Sequence, residues 1–451
     1  MPLRTTPKTA TPYTIVAFDA DSNERRDDSD APDGRMSAKL IATAAEQRPT
    51  DLFLFSHGWR GDMPSAIDQY DRWIDAVALL EEDRKAMGAT FKPLWCGIHW
   101  PSEPWGDEEI QAAAFDVVAG AGSDAALLDM RAIYLERLGL GDNAEAAKQL
   151  EIIMQSNIDD PAATTLPPEA SAAYERLSQM LDTEPSDPST PDDHVDFDAQ
   201  AAFEAFDEED GAFGVGSFLG GILAPLRVLS FWTMKKRALK VGATGVHEMV
   251  AALQNAVPGL RVHIMGHSFG CIVASSLCAG ADGTKPLPRP VQSLVLVQGA
   301  FSFWSYAEKI PSTKKPGFFA AMMQRGAVKG PVVTTQSTFD LAVGKWYPRA
   351  TSLVRESVDF AAEAAGATPD FSKIVWGAVG TYGLQGFSKV DSAQMLPADG
   401  TYRFTPGHVT NVESSAFIKK MVGASGAHSD IDGPEVAHLI WQAAREGNLL
   451  V

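Results

Sequence analysis

The stretch of residues 261–279 constrains the fold more strongly than any other part of the sequence. An apolar, β-rich run at 261–265 leads into a turn at 266–270, and an apolar run of small residues at 271–279 leaves it. This order predicts a strand, a tight turn and a helix. Glycines at both ends of the turn let the strand and the helix approach closely, and Ser268 at its centre is expected to take a strained conformation that projects its hydroxyl from the sheet edge.

The same alternation continues on both sides of this stretch. Short apolar runs bounded by polar residues predict strands, and apolar residues at helical spacing predict helices. Strands are predicted at residues 14–18, 51–55, 94–100, 291–297, 331–335 and 408–412, and helices at 63–80, 231–256 and 434–444. Strands that alternate with helices indicate an α/β fold, with a mostly parallel central sheet and helices on both faces.

The alternation stops between residues 101 and 230. This block contains helical patterns at 125–138, 144–154 and 170–181, and an acidic, proline-rich stretch at 182–210 that has no Lys or Arg and is expected to be loosely attached. Insertions in α/β folds emerge at the carboxyl ends of the strands. We therefore divide the chain into a first part of the core (1–100), a mainly helical and acidic cap or lid insertion (101–230) and a second part of the core (231–451).

Charge and hydropathy restrict the partners. The 451 residues carry a formal net charge of −20. Nucleic-acid binding and binding to anionic membranes both need clustered Lys and Arg, so this charge argues against either partner. The apolar, glycine-rich stretch 212–226 is too short to span a bilayer, which leaves at most a weak interfacial contact.

The cysteines indicate a reducing environment. Cys96, Cys271 and Cys278 are too few for a disulfide framework, and no Cys/His cluster has the spacing of a zinc site. We expect free thiols packed in the core, with neither a metal nor an organic cofactor. The first residues also lack the apolar segment of a secretory signal, so a cytoplasmic location is expected.

The turn at 266–270 resembles the nucleophile elbow of the α/β-hydrolases, the fold shared by many esterases and lipases. The resemblance implies that Ser268 is a nucleophile and that the N–H of Phe269 is one donor of an oxyanion hole. His57, Gly58 and Trp59 follow an apolar strand and are similar to the loop that supplies the second donor, which implies the N–H of Trp59. The sequence here is His-Gly-Trp, whereas one lipase and esterase group has His-Gly-Gly-Gly.

The family order of nucleophile, acid and histidine selects the remaining site residues. His428, in a glycine-rich loop after the last predicted strand, is the expected base, and His408 is its main competitor because His438 lies within a helix. Asp340, after the second strand that follows the elbow, is the expected acid, with Asp370 and then Asp391 as alternatives.

The predicted activity is hydrolysis of a carboxylic ester, from a small-molecule or lipid-like substrate, through an acyl-enzyme. A serine at the elbow argues against epoxide hydrolase and haloalkane dehalogenase chemistry, which place Asp there. An amidase or peptidase that uses the same triad and a non-catalytic binding protein are the alternatives. The candidate substrate-binding residues are His57, Gly58, His267, Trp100 and Trp105.

Overall fold

The structure is a computed structural model of the chain. It describes residues 3–31, 33–58, 63–102, 124–160, 163–181, 199–200, 202–203, 221–223, 225–346, 371 and 377–449.

Within the described residues, nine strands form one sheet in the order β1-β2-β4-β3-β5-β6-β7-β9-β8. The strands are β1 (Leu3–Thr5), β2 (Pro12–Ala17), β3 (Asp51–Ser56), β4 (Pro93–His99), β5 (Arg261–His267), β6 (Ser293–Val297), β7 (Val332–Gln336), β8 (Val390–Gln394) and β9 (Val409–Glu413). Strands β1 and β2 pair antiparallel, and every other neighbouring pair is parallel. The predicted α/β class with a mostly parallel sheet is confirmed.

Helices cover both faces of the sheet. They are α1 (Met36–Gln47), α2 (Met63–Ala78), α3 (Glu81–Ala86), α4 (Asp124–Leu138), α5 (Ala144–Asp159), α6 (Pro168–Leu181), α7 (Pro225–Val241), α8 (His247–Ala256), α9 (Gly270–Ala279), α10 (Ala320–Gln324), α11 (Val379–Tyr382) and α12 (Pro434–Asn448). A π-helical segment, Gly242–Val246, joins α7 to α8.

Strand β3 shows why the central strands are apolar without alternation. Leu52 and Leu54 belong to the core cluster that also contains residues of α1, α8 and α9. Phe53 and Phe55 point to the opposite face and pack in the cluster with α2 and α12. Because successive side chains of a strand point to opposite faces, a strand covered on both faces must be apolar at every position.

Helices α4, α5 and α6 enclose a hydrophobic cluster of their own. Tyr134, Leu150 and Tyr174 are buried at its centre. Thr233 of α7 donates a hydrogen bond to the carbonyl of Leu138, which ties α7 to α4. The described part of the 101–230 block contains helical segments and no strand, whereas most of the acidic stretch 182–210 and most of 212–226 lie outside the described residues.

Two strands of the sheet were not predicted. Strands β1 and β8 form its two edges, where one side of the strand has no neighbour within the described part of the sheet. Their sequences, Leu-Arg-Thr and Val-Asp-Ser-Ala-Gln, are short and largely polar, and most of their side chains are partly or fully exposed. Edge strands bury little surface, so they carry no apolar run to recognise.

No described helix is long and apolar enough to cross a membrane.

Candidate active site

Ser268 lies between strand β5 and helix α9, in a left-handed backbone conformation with φ of +56°. A serine held at positive φ stores strain of about 1–3 kcal/mol, so neighbouring groups must fix it. The N–H of Ser268 donates to the carbonyl of Val297 (3.1 Å), and its carbonyl accepts from the N–H groups of Cys271 (3.1 Å) and Ala300 (3.2 Å). The backbone of the neighbouring strand therefore holds the serine in its turn.

The glycines on either side of Ser268 are required by close packing. A β-carbon on Gly266 would overlap the carbonyl of Gly270, and one on Gly270 would overlap the carbonyl of Ser56 in β3. Both glycines have ordinary negative φ values, so lack of space and not backbone conformation excludes a side chain. Residue 268 itself carries the left-handed conformation.

The loop that follows β3 lies against the serine. A β-carbon on Gly58 would come within 3.1 Å of Ser268 Oγ. The carbonyl of Gly58 accepts hydrogen bonds from Ser102 Oγ and from His57 Nδ1, each at 2.9 Å. These two hydrogen bonds fix the direction of the Gly58 carbonyl.

His57 and Trp100 form the support of this loop. The His57 Nδ1–H donates to the Gly58 carbonyl, which leaves Nε2 to accept from the Trp100 N–H (3.3 Å) and from His99 Nδ1 (3.2 Å). The indole N–H of Trp100 donates to the His57 carbonyl (3.1 Å), and the two rings stack. Burial, reinforced by His57, lowers the pKa of His99 to about 3, so its ring is neutral.

This burial bears on the expected substrate contacts. The structure places His57 and Trp100 beneath the loop, fully buried, and places Gly58 at the serine. Trp59, the expected second oxyanion donor, and Trp105 both lie outside the described residues. Whether these residues touch a substrate stays a prediction.

Asp340 and His428, the expected acid and base, are in direct contact. His428 Nδ1 lies 2.8 Å from Asp340 Oδ2, and the carboxylate is completely buried. Asp340 also accepts from Gln298 Nε2 (2.7 Å) and from the N–H of Val343 (3.2 Å). With Nδ1–H donated to the carboxylate, the lone pair of the imidazole is on Nε2.

The loops that carry Asp340 and His428 are bonded to each other. Residues Asp340 and Gly426 form an isolated β-bridge, and the N–H of Ala427 donates to the carbonyl of Phe339 (2.8 Å). The β-carbon space of Gly426 is filled by the same carbonyl, at a backbone φ of +62°. A glycine is needed there because a side chain would separate the two loops.

His428 contacts His267, the residue that precedes Ser268 in the chain. His267 Nε2 lies 2.9 Å from the carbonyl oxygen of His428, and the two imidazole rings are 4.8 Å apart. Ser268 is 5% exposed, and the His428 side chain is 12% exposed. Among the described contacts, none joins Ser268 Oγ to the His428 ring as a hydrogen bond. In unliganded sites such bonds are often long and tighten on substrate binding.

The competing histidines and acids lie elsewhere. His408 pairs with Asp391 at 3.0 Å, immediately before β9. In a parallel sheet this is the edge opposite the carboxyl end of β5, where Ser268 lies. His438 lies within α12 and bonds to Asp83 (2.7 Å), so it holds helices together. Asp370 lies outside the described residues.

A second Ser–His–Asp relay lies inside the sheet. Ser293 Oγ is 2.9 Å from His263 Nδ1, and His263 Nε2 is 3.0 Å from Asp51 Oδ1. All three residues are buried at the amino-terminal part of their strands, away from the turn of Ser268. Burial would raise the pKa of Asp51, but hydrogen bonds from His263 and Arg261 outweigh it and hold this pKa below its usual range. These three residues, which we call the buried relay, are of the same types as a catalytic triad, but their burial keeps a substrate from reaching Ser293.

Sequence reasoning did not identify Gln298 as part of the site. It follows β6 at a φ of +48°, its N–H and side chain bond to Thr335, and its amide holds Asp340. Its signal was a polar residue directly after the apolar strand Ser293–Val297, in the position of the other residues that end strands at this edge.

No group of three or more His, Cys, Asp or Glu side chains in the described ranges is arranged to hold a metal ion. Comparisons with protein-family models, with curated proteins and with solved structures give no match. The assignment of a function therefore rests on the site itself.

Proposed function

We propose that this protein is a serine hydrolase of the α/β-hydrolase type that cleaves carboxylic esters through an acyl-enzyme. The observation that carries the proposal is the 2.8 Å hydrogen bond between Asp340 and His428 beside a serine at positive φ. These two residues are far apart in the sequence and were selected by their order after Ser268. Their meeting at the elbow supports the proposed roles.

Acylation would begin with His428 Nε2 as the general base. It takes the Ser268 hydroxyl proton while Oγ bonds to the ester carbonyl carbon, and the imidazolium is stabilised by the buried Asp340 carboxylate. His428 then returns the proton to the departing alcohol oxygen as the carbon–oxygen bond breaks. Water repeats the sequence with the same base, which releases the acid and restores Ser268.

The negative charge on the carbonyl oxygen needs preorganised donors. Phe269 follows the serine directly and is the N-cap residue of helix α9, so we assign the first donor to its backbone N–H, at the positive end of the helix dipole. One such donor contributes about 3 kcal/mol to transition-state stabilisation. We assign the second donor to the N–H of Trp59, because the preceding carbonyl, that of Gly58, is held by Ser102 and His57.

The proposed substrate is a small-molecule or lipid-like ester. The described cysteines are free and buried, which fits the proposed cytoplasmic location. Helices α4 to α6, with a core of their own, are proposed to belong to a cap that decides which esters reach Ser268.

A fluorophosphonate probe tests the proposal directly, since it modifies only an activated serine. Wild-type protein is expected to be labelled and to hydrolyse aryl esters, whereas Ser268→Ala is expected to lose both activities. Ser293→Ala is the matched control because Ser293 has a similar histidine partner but is buried. Absence of labelling in the folded wild type would reject the enzyme; faster turnover of peptide anilides than of esters would show an amidase instead.

A further inference from the structure

His267 is the residue immediately before the proposed nucleophile, and it ends strand β5 with its side chain almost fully buried. Its ring lies between helix α2 and the loop of His428. On the helix side it meets Trp73 edge to face and Gln69 of α2. On the loop side it faces the ring of His428. The sequence suggested a substrate contact for this residue, which stays a prediction; its polar contacts within the described residues are with Gln69 and with the His428 loop.

The partners of His267 determine its tautomer. The carbonyl oxygen of His428, 2.9 Å from Nε2, can only accept, so Nε2 carries the hydrogen. Gln69 Nε2, 3.4 Å from Nδ1, can only donate, so Nδ1 accepts. Both ring nitrogens are thus engaged, and the ring has no donor or acceptor left for a substrate.

Three separate contacts then hold the proposed base. Asp340 binds the Nδ1 of its imidazole, and the N–H of His428 donates to the Ser425 carbonyl (3.3 Å). The third contact is the hydrogen bond that His267 Nε2–H donates to the His428 carbonyl. Because His267 and Ser268 are adjacent in the chain, the last contact ties the position of the base directly to the position of the nucleophile.

The charge of His267 matters because the two imidazoles are neighbours. Burial lowers the pKa of His267 well below its usual value, and the nearby His428 and His57 rings lower it further, whereas the hydrogen bond to the His428 carbonyl raises it. A neutral ring at this place leaves His428 free to become the imidazolium during acylation. A cation there would oppose that step, because like charges at this separation repel strongly in a buried site.

We propose that His267 is a positioning residue, which fixes the His428 loop through its Nε2–H and stays neutral while His428 takes the proton of Ser268. This inference rests on the proposed function. It departs from the role of a substrate ligand, since His267 acts through His428 and not on the ester.

Substitutions at His267 test the contact. His267→Leu removes the donor and is expected to lower kcat by about 100-fold, the scale of a misplaced catalytic group, with little change in KM. Labelling by fluorophosphonate should slow in parallel. His267→Gln keeps an N–H donor on a side chain of similar reach and is expected to recover most of that loss. Gln69→Leu removes the donor to His267 Nδ1, which favours the Nε2–H tautomer, and should give a smaller decrease in kcat.

The matched control is His247→Leu. His247 is also a buried histidine with a ring nitrogen bonded to a backbone carbonyl, that of Leu277 at 2.8 Å, and it lies on α8 away from the serine. The substitution His247→Leu should lower the free energy of unfolding while leaving kcat unchanged. If His267→Leu and His247→Leu lower kcat equally, or if His267→Leu raises KM and leaves kcat alone, the positioning role is wrong.

Nitrogen NMR of the histidine rings provides a measurement without turnover. Wild-type His267 is expected to show the Nε2–H tautomer and to remain neutral at pH 6.5, where a free imidazole is about half protonated, and a protonated ring at that pH would overturn the proposal. Failure of the inference is separate from failure of the proposed function. Labelled, active wild type with an unaffected His267→Leu rejects only the inference, whereas unlabelled wild type rejects the hydrolase.

Discussion

Gly58 lies so close to Ser268 that a β-carbon at position 58 would come within 2.5 Å of the serine Cβ. The loop after β3 and the elbow after β5 are therefore fitted to each other at the proposed reaction centre. Strand β3 pairs with β5 from Asp51 and Arg261 to Ser56 and Gly266, so the sheet register itself brings these two ends together.

Gly58→Ala is expected to lower kcat/KM by about 100-fold or more, because a small displacement of the nucleophile or of the oxyanion loop is costly. Overpacking should also reduce the free energy of unfolding by about 1–3 kcal/mol. Ester hydrolysis and urea unfolding measure the two effects. Gly433→Ala is the control, since its β-carbon would meet only the end of the Glu435 side chain. Full activity in Gly58→Ala would show that the loop does not constrain Ser268.

Asp340→Asn should reduce kcat by about 1,000-fold or more with KM nearly unchanged. The amide can donate to His428 Nδ1, which favours the tautomer with hydrogen on Nε2 and removes the base from the serine. Asp391→Asn is the matched control because Asp391 also forms a hydrogen-bonded pair with a histidine, His408, away from Ser268. If the Asp391 variant loses activity and the Asp340 variant keeps it, the acid and the base have been assigned to the wrong pair.

The stability of the protein is expected to fall in mildly acidic solution. Burial lowers the pKa of His99, His247 and His267 below the value for an unfolded chain. Between the folded pKa and about 6.5 the unfolded state binds more protons, so the free energy of unfolding decreases as the pH falls. Each such histidine contributes a slope of up to about 1.4 kcal/mol per pH unit.

Urea unfolding at pH 8, 7, 6 and 5.5 measures this slope. His99→Asn removes one of the titrating groups while keeping a donor near the position of Nδ1. The free energy of unfolding of this variant should therefore change less per pH unit, by the contribution of one histidine, even if the variant is less stable at every pH. A free energy of unfolding that stays constant or increases toward pH 5.5 would contradict the prediction.

The three thiols should be unreactive in the folded protein. Cys96, Cys271 and Cys278 are completely buried, and burial raises the pKa of Cys278 to about 12 and that of the other two thiols also above its usual value. A thiolate is the reactive form. We expect no reaction with an aromatic disulfide reagent in buffer and complete reaction in urea. Ser392→Cys, on the exposed edge strand β8, should react at once, and rapid reaction of native wild type would show that the core opens.

The α/β class could be predicted because it depends on local patterns of apolar residues. Asp340 and His428 were selected by the family resemblance, from their order after Ser268 and their positions after strands. Buried parallel strands must be apolar throughout, and the residues that follow them necessarily collect at one edge of the sheet. The elbow was recognisable because Gly266 and Gly270 have no room for a side chain.

The remaining features depend on contacts between distant segments, which local patterns do not encode. The support of the Gly58 loop by His57 and Trp100 requires that β3 and β4 lie side by side. The contacts of Gln298 with Asp340 and of His267 with the His428 carbonyl form only when the loops after β6, β7 and β9 are assembled. The buried relay of Ser293 likewise depends on strand register, because His263 pairs with Ser293 across β5 and β6.

The serine of the buried relay, Ser293, and the proposed nucleophile, Ser268, give opposite expectations when each is replaced by alanine. Ser293→Ala removes the hydrogen-bond partner of His263 in a fully buried network, so the free energy of unfolding should decrease by about 1–3 kcal/mol. Its turnover and its labelling by fluorophosphonate should stay at wild-type values below the unfolding transition. Ser268→Ala removes a hydroxyl that makes no side-chain hydrogen bond among the described contacts, so stability should change little while labelling disappears. Thermal unfolding and probe labelling of both variants make the comparison. A loss of labelling in Ser293→Ala would mean that Ser293, and not Ser268, is the serine that reacts with the probe.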